Sequence, residues 1–88
     1  MSQHLADEKI LSLMSVGDKR VVLTFARANM NLSKAARLAY MSRQGMRYRL
    51  ENVRKNTGFN PMDFHDLCRL VNAIGTERDE YDRYQLSD

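Results

Sequence analysis

The chain has 88 residues, of which 43% are hydrophobic and 28% are charged, and its formal net charge is +3. This length suits one domain with a modest core, and the composition is that of an ordinary globular protein. No apolar run approaches the roughly 18 residues that span a bilayer, and the single cysteine excludes an internal disulfide or a cysteine metal cage.

The beginning of the chain has none of the features of a secretory signal. The segment MSQHLADEKI contains no basic region followed by an apolar one. We therefore expect a cytoplasmic protein that has no membrane contact. The sequence also indicates no cofactor, no bound metal and no small-molecule ligand.

The charges are distributed unevenly along the chain. Residues 1–16 carry a net charge of −1 and residues 59–88 a net charge of −4. Residues 17–58 carry ten lysines and arginines against only Asp18 and Glu51, which is a net charge of +8. Such a basic segment is typical of nucleic-acid-binding proteins, although charges can also serve only to solvate helix faces.

Apolar spacing predicts an all-α fold, a small bundle of about five helices. The predicted helices lie near residues 4–15, 18–30, 33–39, 43–57 and 63–75. We expect one domain over residues 1–75, followed by an acidic, flexible tail over residues 76–88.

The ends of the predicted helices follow from capping residues and glycines. Asp18 is expected to cap the second helix and Ser33 the third, because their side chains accept hydrogen bonds from free backbone N–H groups. Gly58 is expected to end the fourth helix, and Gly75 the fifth. The predicted core faces consist of Leu5, Ile10, Leu11 and Met14; Val22, Phe25 and Ala26; Ala35, Ala36 and Ala39; Met46, Leu50 and Val53; and Phe64, Leu67, Cys68, Val71 and Ile74.

The third and fourth helices have the outline of a helix-turn-helix. Alanines in the third helix allow the fourth to cross it closely, and the turn between them covers residues 40–42. Ser42 is expected to cap the fourth helix, which is rich in arginine. A helix of this kind reads DNA in the major groove, with its N-terminal residues nearest the base edges.

The candidate DNA-binding residues divide into two groups. The residues at or near the start of the fourth helix are expected to face the bases: Ser42, Arg43, Gln44, Gly45, Arg47 and Tyr48. Arginine can bridge O6 and N7 of guanine, and glutamine can bridge N6 and N7 of adenine. The remaining cations are candidates for phosphate contacts: Lys34, Arg37, Arg49, Arg54 and Lys55.

Catalytic residues are not indicated. His4 lies near the end of the chain, and His65 and Asp66 are adjacent, so that they point about 100° apart on a helix. Cys68 lies on an apolar face, and the four glycines do not have the spacing of a phosphate-binding loop. The chain is therefore not expected to be an enzyme.

Three sequence runs together resemble a known family. They are LSKAA (32–36), SRQGMRYRLE (42–51) and TGFN (57–60). They resemble the C-terminal helix-turn-helix domain of PucR/CdaR-type bacterial transcriptional regulators over about residues 18–75, and more distantly the Fis-type fold. In that family an alanine pair, an Arg-Tyr-Arg-Leu segment and a closing Thr-Gly recur.

The resemblance implies that the helix starting at Ser42 or Arg43 binds an operator. It also implies that Ser42, Arg43, Gln44, Gly45 and Arg47 face DNA. The chain departs from the family pattern at Ser42, Gln44 and Gly45, where histidine, asparagine and threonine are usual. The sensory region that usually precedes this domain is not expected here, so direct metabolite sensing by this chain is not expected.

These observations predict a sequence-specific DNA-binding protein that acts as a transcriptional regulator. Double-stranded DNA is the expected partner, and a symmetric homodimer is the natural way for so small a domain to gain affinity. Two alternatives stay open: a non-specific DNA-architectural factor, and a protein-interaction adaptor on a helix-turn-helix scaffold.

Overall fold

A computed structural model of the chain describes the backbone of residues 6–86 and the side chains of residues 6–77. The described residues form five helices and no strand, which confirms the predicted all-α bundle. The helices are α1 (Asp7–Ser12), α2 (Val16–Arg27), α3 (Leu32–Leu38), α4 (Arg43–Thr57) and α5 (Phe64–Leu86). His4 and the predicted core residue Leu5 lie outside the described residues. The first helix ends at Ser12 and not at the predicted residue 15.

The second helix begins at Val16 rather than at the predicted residue 18, because Ser15 and not Asp18 is its N-cap. The Asp18 backbone N–H donates to Ser15 Oγ at 3.0 Å, and the Ser15 N–H donates to Asp18 Oδ2 at 3.2 Å. This reciprocal pair is a capping box, whose Ser-x-x-Asp spacing is legible in the sequence. Gly17 therefore lies in the first turn of α2 rather than in a break between helices.

The turn after α2 places Asn29 and Met30 outside the helix. Both have positive φ angles, 55° and 64°, so α2 ends at Arg27 and not at the predicted residue 30. Asn31 then caps α3 by accepting the Lys34 N–H at 2.9 Å, and the predicted cap at Ser33 is wrong.

The fourth helix begins and ends where the sequence predicts. Ser42 is its N-cap, and Gly58 follows it with a left-handed φ of 83°, a conformation that glycine adopts without strain. Behind this turn Thr57 is buried, and its hydroxyl donates to the Val53 carbonyl oxygen at 2.7 Å.

The fifth helix does not end at Gly75 but continues to Leu86. Gly75 has no positive φ, and no proline follows it, so nothing at this position turns the chain. Thr76 and Glu77 are attached to the bundle by hydrogen bonds to Asp7 and Lys19. The predicted tail therefore begins as helix, and flexibility of its later residues stays a prediction.

The core contains most, but not all, of the predicted apolar residues. Its fully buried side chains include Ile10, Val22, Phe25, Met46, Leu50, Val53 and Leu70. In α5 the predicted face is shifted: Leu70 and Ala73 are buried, whereas Phe64 is 61% exposed. The shift arises because α5 packs against both α1 and α2 and buries the stripe that faces the two together.

Contacts among the helices place α3 and α4 on one side of the bundle. α4 packs on α3 and α2, and α5 packs on α1 and α2. Within the described part of the chain, no helix is long and apolar enough to cross a membrane.

Candidate nucleic-acid interface

Small residues and a tight turn bring α3 and α4 together. Ala35 and Ala36 are buried in the core. The Met41 backbone N–H donates to the Ala36 carbonyl oxygen at 2.9 Å, which closes the turn. Tyr40 occupies the turn with a φ of 57°. This arrangement is a helix-turn-helix, as the sequence predicts.

The helix α4 has one buried face and one exposed face. Met46, Leu50 and Val53 are buried at the spacing i, i+4 and i+7. Tyr48 and Lys55, which lie roughly opposite on the helix, are exposed. The exposed face is therefore available to a ligand along the whole of α4.

The exposed face begins with three polar side chains that the sequence predicts to read bases. Arg43, Gln44 and Arg47 are exposed and line, with Leu32, a cleft of about 340 Å³ beside the start of α3. Among the residues whose side chains the structure describes, no carboxylate forms an ion pair with Arg43 or Arg47. Both guanidinium groups can therefore donate to an external acceptor.

Ser42 and Gly45 act together at the start of α4. The Gly45 N–H donates to Ser42 Oγ at 2.9 Å, which is the N-cap hydrogen bond. A β-carbon at Gly45 would lie 3.0 Å from the same oxygen, so a larger residue would push the cap by a few tenths of an ångström. The structure thus provides a local reason for glycine here, since absence of a side chain preserves the cap.

The predicted phosphate-binding residues are spread over two helices. Lys34 and Arg37 are exposed on α3, and Lys55 is exposed on α4. Arg54 forms an ion pair with Glu51 at 3.3 Å. Because both side chains of this pair are well exposed, the pair contributes at most about 1 kcal/mol and leaves Arg54 able to turn toward another anion.

Arg49 lies apart from the other cations, on the opposite edge of α4. It lines a cleft of about 700 Å³ with Tyr48, Asn52 and Asn56 of α4 and with residues 12–15, which are the end of α1 and the α1–α2 connection. Tyr48 is 65% exposed at the mouth of this cleft. The structure therefore divides the predicted residues into two clusters, one beside α3 and one beside the start of α2.

Sequence reasoning did not identify three neighbours of these clusters. Leu32 borders the cleft of Arg43 and Arg47, and Gly17 lies against the guanidinium of Arg49. Asn56 donates from Nδ2 to Asp18 Oδ2 at 3.4 Å, which joins α4 to α2. The Ser-x-x-Asp capping signature is enough to predict that Gly17 lies inside a helix. The contacts between helices are not predicted by any local sequence pattern.

Groups suited to catalysis or metal binding are not assembled at this surface. His65 is exposed, with its ring edge-on to that of Phe64 at a centroid distance of 5.7 Å. The described side chains include no group of three His, Cys, Asp or Glu residues that would hold a metal ion. Arg69 and Thr76 lower the pKa of Asp7 by hydrogen bonding, and all three lie away from α4.

Comparisons with known proteins agree with this geometry. The family model of the PucR C-terminal helix-turn-helix domain matches residues 19–74, a range that contains α3, α4 and most of α2. No curated protein and no solved structure matches the chain. Since the family match covers well over half of the 88 residues, the chain belongs to the family of PucR C-terminal helix-turn-helix domains.

Proposed function

We propose that this protein binds double-stranded DNA sequence-specifically through α4 and acts as a transcriptional regulator. The observation that carries the proposal is the start of α4. There Arg43, Gln44 and Arg47 project from a capped helix, and no described carboxylate pairs with either arginine. An α-helix fits the major groove, and its N-terminal residues approach the base edges.

The three side chains differ in what they can recognise. Arg43 and Arg47 can each donate two hydrogen bonds to O6 and N7 of a guanine, and Gln44 can pair with N6 and N7 of an adenine. Tyr48, whose ring is exposed, would contact a neighbouring base or sugar. Ser42 and Gly45 hold the end of the helix that presents these groups, because they form its cap.

Phosphate contacts supply the sequence-independent part of the proposed affinity. Lys34 and Arg37 are exposed on α3, whose first residue borders the cleft of Arg43 and Arg47, and Arg49 lines the cleft at the opposite edge of α4. Arg54 and Lys55 lie in the last turn of α4, where they extend the same basic surface. Each phosphate that such a cation neutralises releases counterions and makes binding depend on salt.

We further propose that two copies bind symmetric half-sites about 34 Å apart, since one short helix offers few base contacts. The first or the last helix would supply the contact between copies. The exposed side chain of Phe64, at the start of α5, favours α5 as the helix that supplies the contact between the two copies. Sedimentation of the protein with and without a palindromic duplex tests this point, and a monomer in both samples would exclude a dimer.

The proposed function is tested by titrating the protein into labelled duplexes at several salt concentrations. Selection from a random oligonucleotide pool, at two salt concentrations, supplies the preferred sequence. A sequence-specific binder should enrich one motif and hold it more tightly than random DNA. Its affinity should fall by roughly 0.9 log units per log of salt for each phosphate neutralised.

Other results of this experiment point to the alternative functions. Equal affinity for selected and random duplexes, with a steep salt dependence, would indicate an architectural factor. Absence of binding at low salt would reject DNA as the target. The function consistent with that result would be a protein-interaction adaptor on a helix-turn-helix scaffold.

A further inference from the structure

The guanidinium of Arg49 lies directly against the backbone of Gly17, in the first turn of α2. A β-carbon built on Gly17 would be 2.5 Å from Arg49 Nη2, closer than two such atoms can approach. The next nearest atoms, Ser15 Oγ and Arg49 Cζ, would be 3.7 and 3.8 Å away. Any residue other than glycine at this position would therefore displace the guanidinium of Arg49.

No described residue accepts a hydrogen bond from the guanidinium of Arg49 at this place. Its side chain is half-buried, yet it makes no hydrogen bond or ion pair with a described residue. The carboxylate of Asp18 lines the same cleft, but the Ser15 N–H and Asn56 Nδ2 donate to it. A guanidinium has five N–H donors and a permanent charge, so this cleft presents a cation that suits an external anion.

The position of Arg49 on α4 determines which part of DNA it can reach. Arg47 and Arg49 point about 200° apart around the helix axis. Arg47 faces the cleft beside α3, and Arg49 faces the cleft beside the α1–α2 connection. A helix of about 10–12 Å diameter fills a major groove about 12 Å wide, so its two edges face the backbones of the two different strands.

We propose that Gly17 is a positioning residue for Arg49, and that Arg49 so placed contacts a phosphate of the DNA strand that passes the α1–α2 connection. Lys34 and Arg37 on α3 contact the other strand. α4 is thereby held from both sides of the groove. This inference rests on the proposed DNA binding and specifies how the domain is fixed across the groove.

Gly17→Ala separates positioning from folding. The obstructing atom is the end of a flexible side chain, so the substitution moves the guanidinium and leaves the backbone in place. Alanine also has a higher helix propensity than glycine, so the thermal midpoint should stay equal or rise. A loss of DNA affinity without a loss of stability would therefore report on Arg49 and not on the fold.

The experiment measures duplex binding by fluorescence anisotropy across a salt series. The proteins compared are wild type, Gly17→Ala, Arg49→Ala, the double variant, Gly75→Ala and Arg43→Ala. Gly75→Ala is the matched control, because a β-carbon at Gly75 would meet nothing within 4 Å. Arg49→Ala should weaken binding to every sequence by about tenfold, the loss expected for one charge-assisted hydrogen-bonded contact. It should also reduce the salt slope by about 0.9, which corresponds to one phosphate.

Gly17→Ala should lower the affinity and the slope in the same direction as Arg49→Ala. The double variant should bind like Arg49→Ala alone, because Gly17 acts only through Arg49. A full additional loss in the double variant, or a Gly17→Ala protein that binds like Gly75→Ala, would overturn the inference. Arg49→Ala with an unchanged salt slope would overturn it as well, whatever the behaviour of Gly17→Ala.

The Arg43→Ala variant distinguishes a failure of this inference from a failure of the proposed function. If the wild-type protein binds no DNA, the proposed function and this inference both fail. If Arg43→Ala loses specific binding while Arg49→Ala and Gly17→Ala keep the affinity and salt slope of wild type, DNA reading by α4 stands and only the role of Gly17 and Arg49 is rejected.

Discussion

Asp18 and Asn56 join the first turn of α2 to the last turn of α4. Asn56 Nδ2 donates at 3.4 Å to the Asp18 Oδ2 atom that also accepts the Ser15 N–H. Asp18 is 7% exposed, and its carboxylate accepts hydrogen bonds both from the N-cap residue of α2 and from α4. A polar contact therefore adds to the apolar packing between α2 and α4.

Replacing Asp18 by alanine should destabilise the protein by about 1–3 kcal/mol, because the capping box is lost and the Ser15 N–H is left without its partner. Asn56→Ala should cost less, since Asp18 keeps its contact with Ser15. Urea denaturation at neutral pH measures both values. Equal stability of Asp18→Ala and wild type would show that the buried carboxylate does not hold the two helices.

The Asp7 carboxylate should make stability depend on pH in the acidic range. Hydrogen bonds from Arg69 and Thr76 lower its pKa below the usual value, and the nearby Arg69 charge acts in the same direction. Because the folded pKa is the lower one, the contribution is complete above the usual aspartate pKa of about 3.9 and is lost as pH falls through the folded pKa. The unfolding midpoints of wild type and Asp7→Asn should therefore differ at pH 6 and converge as the pH falls below the usual aspartate pKa of about 3.9; a constant difference would contradict this role.

Arg43 and Arg47 should differ from Lys34 in the kind of loss that alanine produces. If an arginine pairs with guanine, its alanine variant should lose about 1–3 kcal/mol at the selected site and relax the preference at one base pair. Lys34→Ala should weaken binding equally on all sequences and reduce the salt slope by about 0.9. Binding to a set of single-base variants of the selected site separates the two patterns. Uniform losses for Arg43→Ala would assign that residue to the backbone.

Tyr40 should be replaceable by glycine with a gain in stability. Its φ of 57° lies in the left-handed region, which costs a non-glycine residue about 1–2 kcal/mol, and its side chain is 96% exposed and so has little packing to lose. Part of this gain is offset by the greater freedom of glycine in the unfolded chain, so we expect a net gain of about 0.5–1 kcal/mol. Tyr40→Ala is the control, because it removes the ring and keeps the strain. A Tyr40→Gly protein no more stable than Tyr40→Ala would show that the turn is not strained.

Truncation of Leu50 should be far more costly than truncation of Tyr48, two residues before it. Leu50 is fully buried between α4 and the rest of the core, and Leu50→Ala should cost about 2–5 kcal/mol through lost burial and the cavity left behind. Tyr48→Ala should change stability by about 0.5 kcal/mol or less and reduce DNA affinity instead. Thermal unfolding and duplex binding of the two variants test this division of α4 into two faces.

Local sequence signals predict a helix end correctly where a single residue determines it. Ser42 and Gly58 mark the ends of α4 correctly, because capping and left-handed φ are properties of single positions. The predictions that Asp18 caps α2 and that Gly75 ends α5 are wrong for the opposite reason. The helix α2 uses Ser15 and Asp18 as a pair, and α5 continues through a glycine because Thr76 and Glu77 bond to other helices.

Helical periodicity, capping residues and charge are local properties of the chain, so they are enough to predict a small helical domain with a basic helix-turn-helix. Packing between helices sets the exposure of Phe64, the burial of Leu70 and the separate clefts of Arg47 and Arg49. Packing also brings Gly17 against the guanidinium of Arg49. These features depend on which helices cross and at which residues. That is settled by packing between segments far apart in sequence, and no local pattern records it.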